Sequence, residues 1–505
     1  MDHEQYFSVK MVDGEPKTSG QTKCFLGHIV NPGPDPEREG IFVEWEWDGK
    51  ALRVKTDRFA LYPVYYWCEQ QRFAISTSMM KLFDLGVPQE LDYAGLSVFM
   101  RLGFHIGEKT CFKGIKALPP DVDLQWSRGQ LSLKTRLAIE KPNRINKDDA
   151  IDKYIHLFSE SIRKRAPQGD PFVLPISGGR DSRHILLELL RQGHKPESAV
   201  TYEQFSGKSF GEDIRIGAAL CEELGIRHVR LQQTEKYLAA ELKKNVHTGF
   251  NTDENQQMYV LADYMPQHTH ITYDGIAGGI FTEGSFRWPS AYRLYQGGRY
   301  EELAVDTFEK FSCHEENFRR LFREPFYAKI NIDQAVMSLT SELKRHETAA
   351  DPFASFLFWN RTRREISLLP YRALERVPVV YAPYLDYELN SFLSSLPLDI
   401  LTDNDFHTQT IRRAYPQYAH IPFENEGIVR DRSVLNKKTS EIIRQVAFYY
   451  LSQFKFNEPV WDQQYLFPRM LRCLCSASYA ASLRWLPMAR VLFLTQLINS
   501  GGLGT

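Results

Sequence analysis

The stretch from Phe172 to Arg183 reads Phe-Val-Leu-Pro-Ile-Ser-Gly-Gly-Arg-Asp-Ser-Arg, and its chemistry is that of a phosphate cradle. Gly178 and Gly179 let the backbone approach a ligand with no Cβ in the way. Ser177 and Ser182 bring hydroxyls, and a helix starting here brings unpaired N–H groups and the positive end of its dipole. The spacing is not that of the Walker loop, which separates its glycines more widely and ends in Lys. A second glycine turn, Asp274-Gly-Ile-Ala-Gly-Gly279, has only Asp274 and Glu283 as nearby carboxylates. A third chemically loaded stretch, Arg361-Thr-Arg-Arg-Glu365, sits on a helical pattern, where a solvated face is the ordinary reading.

The elements around these residues follow from periodicity. Phe172–Ile176 is an apolar run, read as a buried strand, and His184, Ile185, Leu186, Leu187, Leu189 and Leu190 mark a helix that Gly193 closes. Ser198–Tyr202 is the next strand, a helix from Glu212 stops at Leu224-Gly225, and a strand begins near His228. Strand and helix alternating in this way predict a doubly wound parallel sheet. The chain before about residue 135 is different: Cys24–Val30, Ile41–Trp47, Leu52–Lys55, Val64–Trp67 and Phe73–Ser76 are short strands, with a hairpin turn at Asp48-Gly49. A polar linker follows near Lys141–Asp149, with Asn146 as the expected N-cap of a helix running to about Arg165.

Ser177-Gly-Gly-Arg-Asp-Ser182 resembles the PP-loop of ATP pyrophosphatases, and the whole order resembles the asparagine synthetase-like family. Tyr381-Ala-Pro-Tyr-Leu-Asp386, followed by Leu396-Pro397, is similar to that family's Pro-Phe-Leu-Asp segment, and Gly114–Pro120 to its Gly-Ile-x-x-Leu-Pro-Pro segment. Asp57-Arg-Phe-Ala-Leu-Tyr-Pro-Val-Tyr-Tyr66 resembles a glutaminase strand. The resemblance implies an α/β chain: an N-terminal glutaminase-like, Ntn-type αββα sandwich over residues 1–138, and a doubly wound parallel-sheet PP-loop synthetase domain with a helical extension over residues 146–505. It implies ATP and magnesium as cofactors, with Ser177, Gly178, Gly179, Asp181, Ser182, Thr201 and Gly275 binding ATP or pyrophosphate and Asp181 holding the metal. Tyr202 lies where the family contacts the nucleoside. Glu365 is the candidate general base, Arg364 the clamp on a substrate carboxylate, and Lys437 or Lys438 the cation that meets the leaving pyrophosphate.

Two departures matter. Ile276 and Gly279 stand where the family carries acids, which leaves the second metal ligand open. Position 2 is Asp2 where the family's glutaminases have Cys, so no ammonia from glutamine is expected unless processing exposes Cys24. The expectation is an AMP-forming ligase that joins a small-molecule or peptide carboxylate to an amine, as in glutaminase-deficient lactam and macrolactam cyclases. The alternatives are a non-catalytic nucleotide-binding scaffold and a full amidotransferase.

The rest of the composition excludes more than it assigns. A net charge of −1 over 505 residues gives no reason to expect nucleic acid or an anionic membrane as partner. Seven scattered cysteines without zinc spacing, and an acidic, polar start, predict reduced thiols in a cytoplasmic protein. The helical, aromatic-rich stretch 442–498 is expected to pack against the body or to form subunit contacts, a homodimer being the form considered.

Overall fold

The computed structural model describes residues 4–32, 38–202, 212–232, 236–254, 258–283, 287–424, 432–453, 459–483 and 485–499. The N-terminal unit is two antiparallel sheets. The first runs β2-β1-β7-β6-β8, with β1 Tyr6–Val12, β2 Glu15–Gly20, β6 Tyr65–Glu69, β7 Arg72–Ser76 and β8 Lys116–Ala117. The second runs β10-β9-β5-β4-β3, with β3 Lys23–Asn31, β4 Glu39–Trp47, β5 Leu52–Thr56, β9 Asp123–Ser127 and β10 Gln130–Lys134. Alternate residues of both sheets meet between them: Phe7, Val9, Val43, Trp45, Leu52, Val54, Phe73, Ile75, Leu124 and Trp126 form one buried cluster. Helix Met79–Asp84 lies against β6 and β7, and helix Tyr93–Leu102 joins it in a buried cluster that also holds Tyr65, Trp67 and Ala74.

Asp57 shows how a motif becomes a turn. Its carboxylate accepts N–H bonds from Phe42, Phe59 and Ala60, at 2.9, 2.7 and 3.1 Å, and so pins the chain reversal after β5.

The C-terminal unit is built on parallel strands. β11 Val173–Pro175, β12 Ser198–Tyr202 and β13 His228–Leu231 pair in that order, and helices Asp181–Arg191 and Glu212–Glu223 make the crossovers. β14 Ile271–Tyr273 pairs in parallel with β15 Val379–Tyr381. It also lies beside β11, joined by Thr272 Oγ1 donating to Val173 O at 2.8 Å and Val173 N donating to Thr269 Oγ1 at 3.3 Å. The Asn146 side chain caps helix Lys147–Lys164 as the linker predicted. Gly193, at φ +86°, closes helix Asp181–Arg191 with His194 N donating to Leu189 O.

Among the described residues beyond β14, the regular elements are helices apart from β15, up to helix Trp485–Leu497. None of the described helices is long and apolar enough to cross a membrane. These helices do not stand apart from the sandwich: Phe99 stacks on Phe493 with ring centres 4.3 Å apart. Arg101, fully buried, is bound by Glu315 and Ile330 O.

Candidate active site

β11 delivers the cradle. Val173 and Leu174 are buried, and the chain leaves the strand through Ile176 into a turn that runs directly into helix Asp181–Arg191. Ser182 Oγ accepts from Ser177 N at 3.1 Å, and Ser177 Oγ accepts from Gly179 N at 3.2 Å. Gly178 N donates to Asp213 Oδ1 at 2.8 Å, and Gly178 O accepts from Glu424 N at 2.8 Å. A Cβ on Gly178 would come within 3.1 Å of Ile216 Cδ1, so this glycine admits the helix that carries Asp213. Thr201, a candidate nucleoside contact, instead locks the loop from behind: its hydroxyl donates to Ile176 O at 2.8 Å and lies 2.9 Å from His228 Nε2. Its neighbour Tyr202 lines the cavity in front.

The loop opens on a cavity of about 520 Å³. Ser177, Asp181, Ser182, Asp274, Gly275, Gly279 and Glu283 line its polar end, while Leu261, Ile276, Ile366 and Leu369 make it apolar elsewhere. This is the size range of ordinary cofactor sites. It also lies beyond the carboxyl ends of parallel strands, where open α/β sheets bind ligands.

At the polar end Asp181, Glu283 and His407 each bring a ligand atom within 4.8 Å of the others. Asp181 Oδ1 is buried and accepts no hydrogen bond. The second glycine turn exists because of this residue. A Cβ on Gly275 would lie 2.7 Å from Asp181 Cβ, and one on Gly278 would lie 2.5 Å from Asp181 Oδ1 and 2.8 Å from the Tyr384 ring. Burial and the Glu283 charge push the Asp181 carboxyl well above its usual range. Burial acts the same way on Glu283, but the His407 hydrogen bond and charge outweigh it and hold Glu283 low. A divalent cation between two acids this close would relieve the repulsion that raises Asp181. An orphaned carboxylate oxygen beside a second acid, in a cradle closed to any Cβ, fits a metal. Asp274, at the neighbouring strand end, is pushed up to about 6 by burial. Glu283 stands where Ile276 and Gly279 left the second ligand open. His407 was not a sequence candidate, and nothing in Phe406-His-Thr-Gln409 marks it.

The other candidates lie elsewhere. The stretch Phe358–Ile366 is a π-helix, and its wider turn gives the cavity Arg361, Thr362 and Ile366. Arg364 points away: its guanidinium donates to Gly107 O, to Lys109 O at 2.9 Å and to Asn251 Oδ1 at 3.2 Å, so it ties the sandwich loop to the π-helix and has no arm for a substrate. Glu365 is buried behind Arg361, accepting from Thr252 Oγ1 at 2.9 Å and pairing with Arg361 Nε at 3.1 Å. Burial, then the charge of Glu254, pushes Glu365 well above the carboxylate range. Neither Arg364 nor Glu365 lines the cavity.

Lys437 and Lys438 lie within helix Arg432–Ser452, where Lys437 is exposed and lines a different groove with Ser440, Glu441 and Ala477. Residues 425–431, before them, lie outside the described residues. Arg180 turns from the cavity, with Nε donating to Thr408 Oγ1 at 2.6 Å and the guanidinium 5.0 Å from the Phe423 ring centre. Among the described residues lining the cavity, Arg361 is the one basic side chain.

Residues 16–136 match the sequence profile of a glutamine amidotransferase domain. Amidase chyE of Penicillium rubens is 22% identical over 301 residues, which cover 53% of this chain and 44% of that protein, so the match spans under half of its length. Among solved structures, glutamine phosphoribosylpyrophosphate amidotransferase from B. subtilis, complexed with ADP and GMP, aligns over 46% of this chain and 49% of its own, at 9% identity and a TM-score of 0.16. NMN synthetase from Francisella tularensis aligns over 44% of this chain and 96% of its own, at 15% identity and a TM-score of 0.21. Both fits are too loose to bear on function. The N-terminal sandwich thus contains a glutamine amidotransferase-type domain, consistent with an asparagine synthetase-like family.

Proposed function

We propose that this protein is an ATP-dependent, AMP-forming carbon–nitrogen ligase. A substrate carboxylate oxygen attacks the α-phosphorus of ATP, the bond to pyrophosphate breaks, and an acyl adenylate forms. An amine then attacks the acyl carbon, the acyl–oxygen bond breaks, AMP departs, and the amine proton leaves with solvent or a base. The observation that carries this reading is the shared cavity: the Ser177–Ser182 turn and Asp181 stand at one end, and Arg361 stands in the same wall system.

Ser177, Ser182 and the start of helix Asp181–Arg191 would meet phosphate oxygens, Gly275 would let them approach, and Tyr202, Leu261 and Ile366 would flank the base. Asp181 and Glu283 would hold a divalent cation, magnesium being the ordinary choice. When bound, it neutralises charge on the leaving pyrophosphate. Arg361, held by Glu254 and Glu365 at 3.0 and 3.1 Å, takes over the clamp role foreseen for Arg364. Glu365, buried and paired with Arg361 outside the cavity lining, would orient Arg361 and would not serve as a base.

The partners are a small-molecule or peptide carboxylate and an amine. Incubating the chain with ATP, magnesium and panels of acids and amines, and measuring pyrophosphate and AMP, tests the reading. AMP that appears only with an acid present supports it, and ATP binding without AMP from any acid overturns it. That second outcome would favour a nucleotide-binding scaffold. One observation leans that way: Gly178 is already engaged by Asp213 and Glu424.

A further inference from the structure

The acids at the head of the cavity are joined by a nitrogen ligand. His407 is 1% exposed, and its Nδ1 lies 3.4 Å from Asp181 Oδ1 and 3.6 Å from Glu283 Oε1. Its other nitrogen is held. Nε2 is 3.2 Å from the Tyr154 hydroxyl and 3.1 Å from His184 Nδ1, and His184 is itself buried with its ring stacked on Phe158 at 3.7 Å. Thr282 Oγ1 also faces Nδ1 at 3.3 Å, but its proton is committed to Gly278 O at 2.7 Å. The ring is therefore fixed in place with Nδ1 toward the acids, which is how metal-bound imidazoles are supported.

We propose that Asp181, Glu283 and His407 form a mixed oxygen–nitrogen site that binds a Mn2+-class divalent ion directly, before and without nucleotide. Three features carry it. Asp181 Oδ1 is buried and without a hydrogen bond, so one ligand is already desolvated and unspent. The glycines at 275 and 278 let the second turn pack directly on the Asp181 side chain, which fixes its carboxylate beside Glu283 and His407. The imidazole sets the ion class: nitrogen ligands raise affinity along the series from Mn2+ toward Zn2+, whereas Mg2+ prefers an all-oxygen shell and keeps its waters.

The site also supplies charge that the cavity lacks. Its lining carries Asp181, Asp274 and Glu283 against one basic side chain, Arg361, while Arg180 and Arg287 act on the acids from outside the lining. A resident cation would add positive charge beside these acids, where a polyphosphate would approach. The proposal shares Asp181 with the ligase reading, yet its test needs neither nucleotide nor substrate, so the two can fail separately.

The full-length chain, freed of metal with chelator, is titrated with Mn2+ alone and followed by electron paramagnetic resonance of the free ion. One ion bound per chain, with nitrogen-14 modulation in the spin echo, is the expected result. Mg2+ should compete on the order of tenfold more weakly or worse. In His407→Gln the nitrogen modulation should vanish and Mn2+ affinity fall by about 10–100-fold. His407 is buried, so circular dichroism and melting are read alongside. Glu283→Gln, with a side chain 25% exposed, is the second variant, and should weaken Mn2+ while keeping the nitrogen signal. Binding that needs nucleotide, a bound ion with no nitrogen modulation, modulation surviving in folded His407→Gln, or Mg2+ competing as well as Mn2+ would each overturn the proposal.

Discussion

Asp181 and Arg180 are neighbours in the chain with opposite duties. Asp181 turns its orphaned oxygen toward Glu283 and His407, while Arg180 is spent on Thr408 and Phe423. Asp181→Asn keeps the shape and removes the anionic oxygen that a hard cation needs. AMP formation should fall by about 100-fold or more, about 3 kcal/mol of transition-state stabilisation, with the melting temperature unchanged or raised because a buried acid is relieved. Arg180→Leu should lose less than tenfold, about 1 kcal/mol. The reverse order, measured by AMP release, would mean that Arg180 reaches a phosphate. At this scale the sequence was readable where chemistry is local. Ser177, Asp181 and Ser182 lie in one turn and are found together. His407 joins them across 226 residues (407 − 181), and only the fold brings it there. Arg364 was misplaced for a similar reason. On a helix of ordinary pitch the face of Arg361, Arg364 and Glu365 is shared, but the π-helical winding sends Arg361 to the cavity and Arg364 to the sandwich loop.

The turns and helix ends carry the next set of constraints. Gly278 was legible as a glycine turn, but its purpose was not, because the atom that excludes a Cβ belongs to Asp181 of another loop. Gly278→Ala should push Asp181 aside and abolish AMP formation, while far-ultraviolet circular dichroism shows the helices intact. An alanine variant with normal turnover would sink the claim that this glycine shapes the site. The family-like Pro383–Asp386 segment turns out to hold the two units together. Asp386 Oδ1 caps helix Tyr387–Ser394, while Oδ2 receives Lys164 at 2.8 Å and Arg165 at 3.0 Å; Arg165 also reaches Glu39 of β4 at 2.8 Å. Burial opposes its charge, but Arg165 and Lys164 overcome that and hold the Asp386 carboxyl down to about 2 from 3.8. A carboxyl with a depressed folded pKa stabilises above its unfolded value and loses that stabilisation as pH falls through the folded one. Asp386 should thus add about 2 kcal/mol above pH ~4, fading toward pH ~2. Asp386→Asn keeps the cap oxygen and loses the charge. Its melting-temperature deficit against the native chain should be full at pH 6 and shrink toward pH 2, and a deficit independent of pH would show that the charge is not what matters.

Across the whole molecule the sandwich and the C-terminal unit pack together, and this bears on whether the proposed ligase could draw nitrogen from glutamine. The sequence set residues 1–138 apart from 146–505 by the polar linker near Lys141 and by resemblance; the described strands pair antiparallel before that linker and parallel after it. Packing does not respect it: Phe99 stacks on Phe493, and Arg490 donates to Met100 O and Arg101 O as well as to Asp253. Side-chain pairing of this kind leaves no trace in periodicity. A glutaminase of this kind needs an activated thiol at the start of its strand. Cys24 is the thiol that processing was considered to expose, and it sits in β3 opposite Trp45, its thiol pushed up to about 12 by burial. Cysteines 68 and 111 are raised as well, first by burial. Cleavage before Cys24 would remove β1 and β2. β1 pairs with β7 over Tyr6–Lys10 and seats Phe7 and Val9, both at most 2% exposed, in the sandwich core. Losing those two side chains alone forfeits about 3–6 kcal/mol, comparable to the whole stability of many domains, and leaves an open strand edge. The predicted outcome is that the full chain releases no glutamate from glutamine, that Cys24→Ala forms AMP at the native rate, and that a chain starting at Cys24 loses the near-ultraviolet signal of Trp45 and Trp126. Glutamate release that disappears in Cys24→Ala would overturn this and make the sandwich a working source of ammonia.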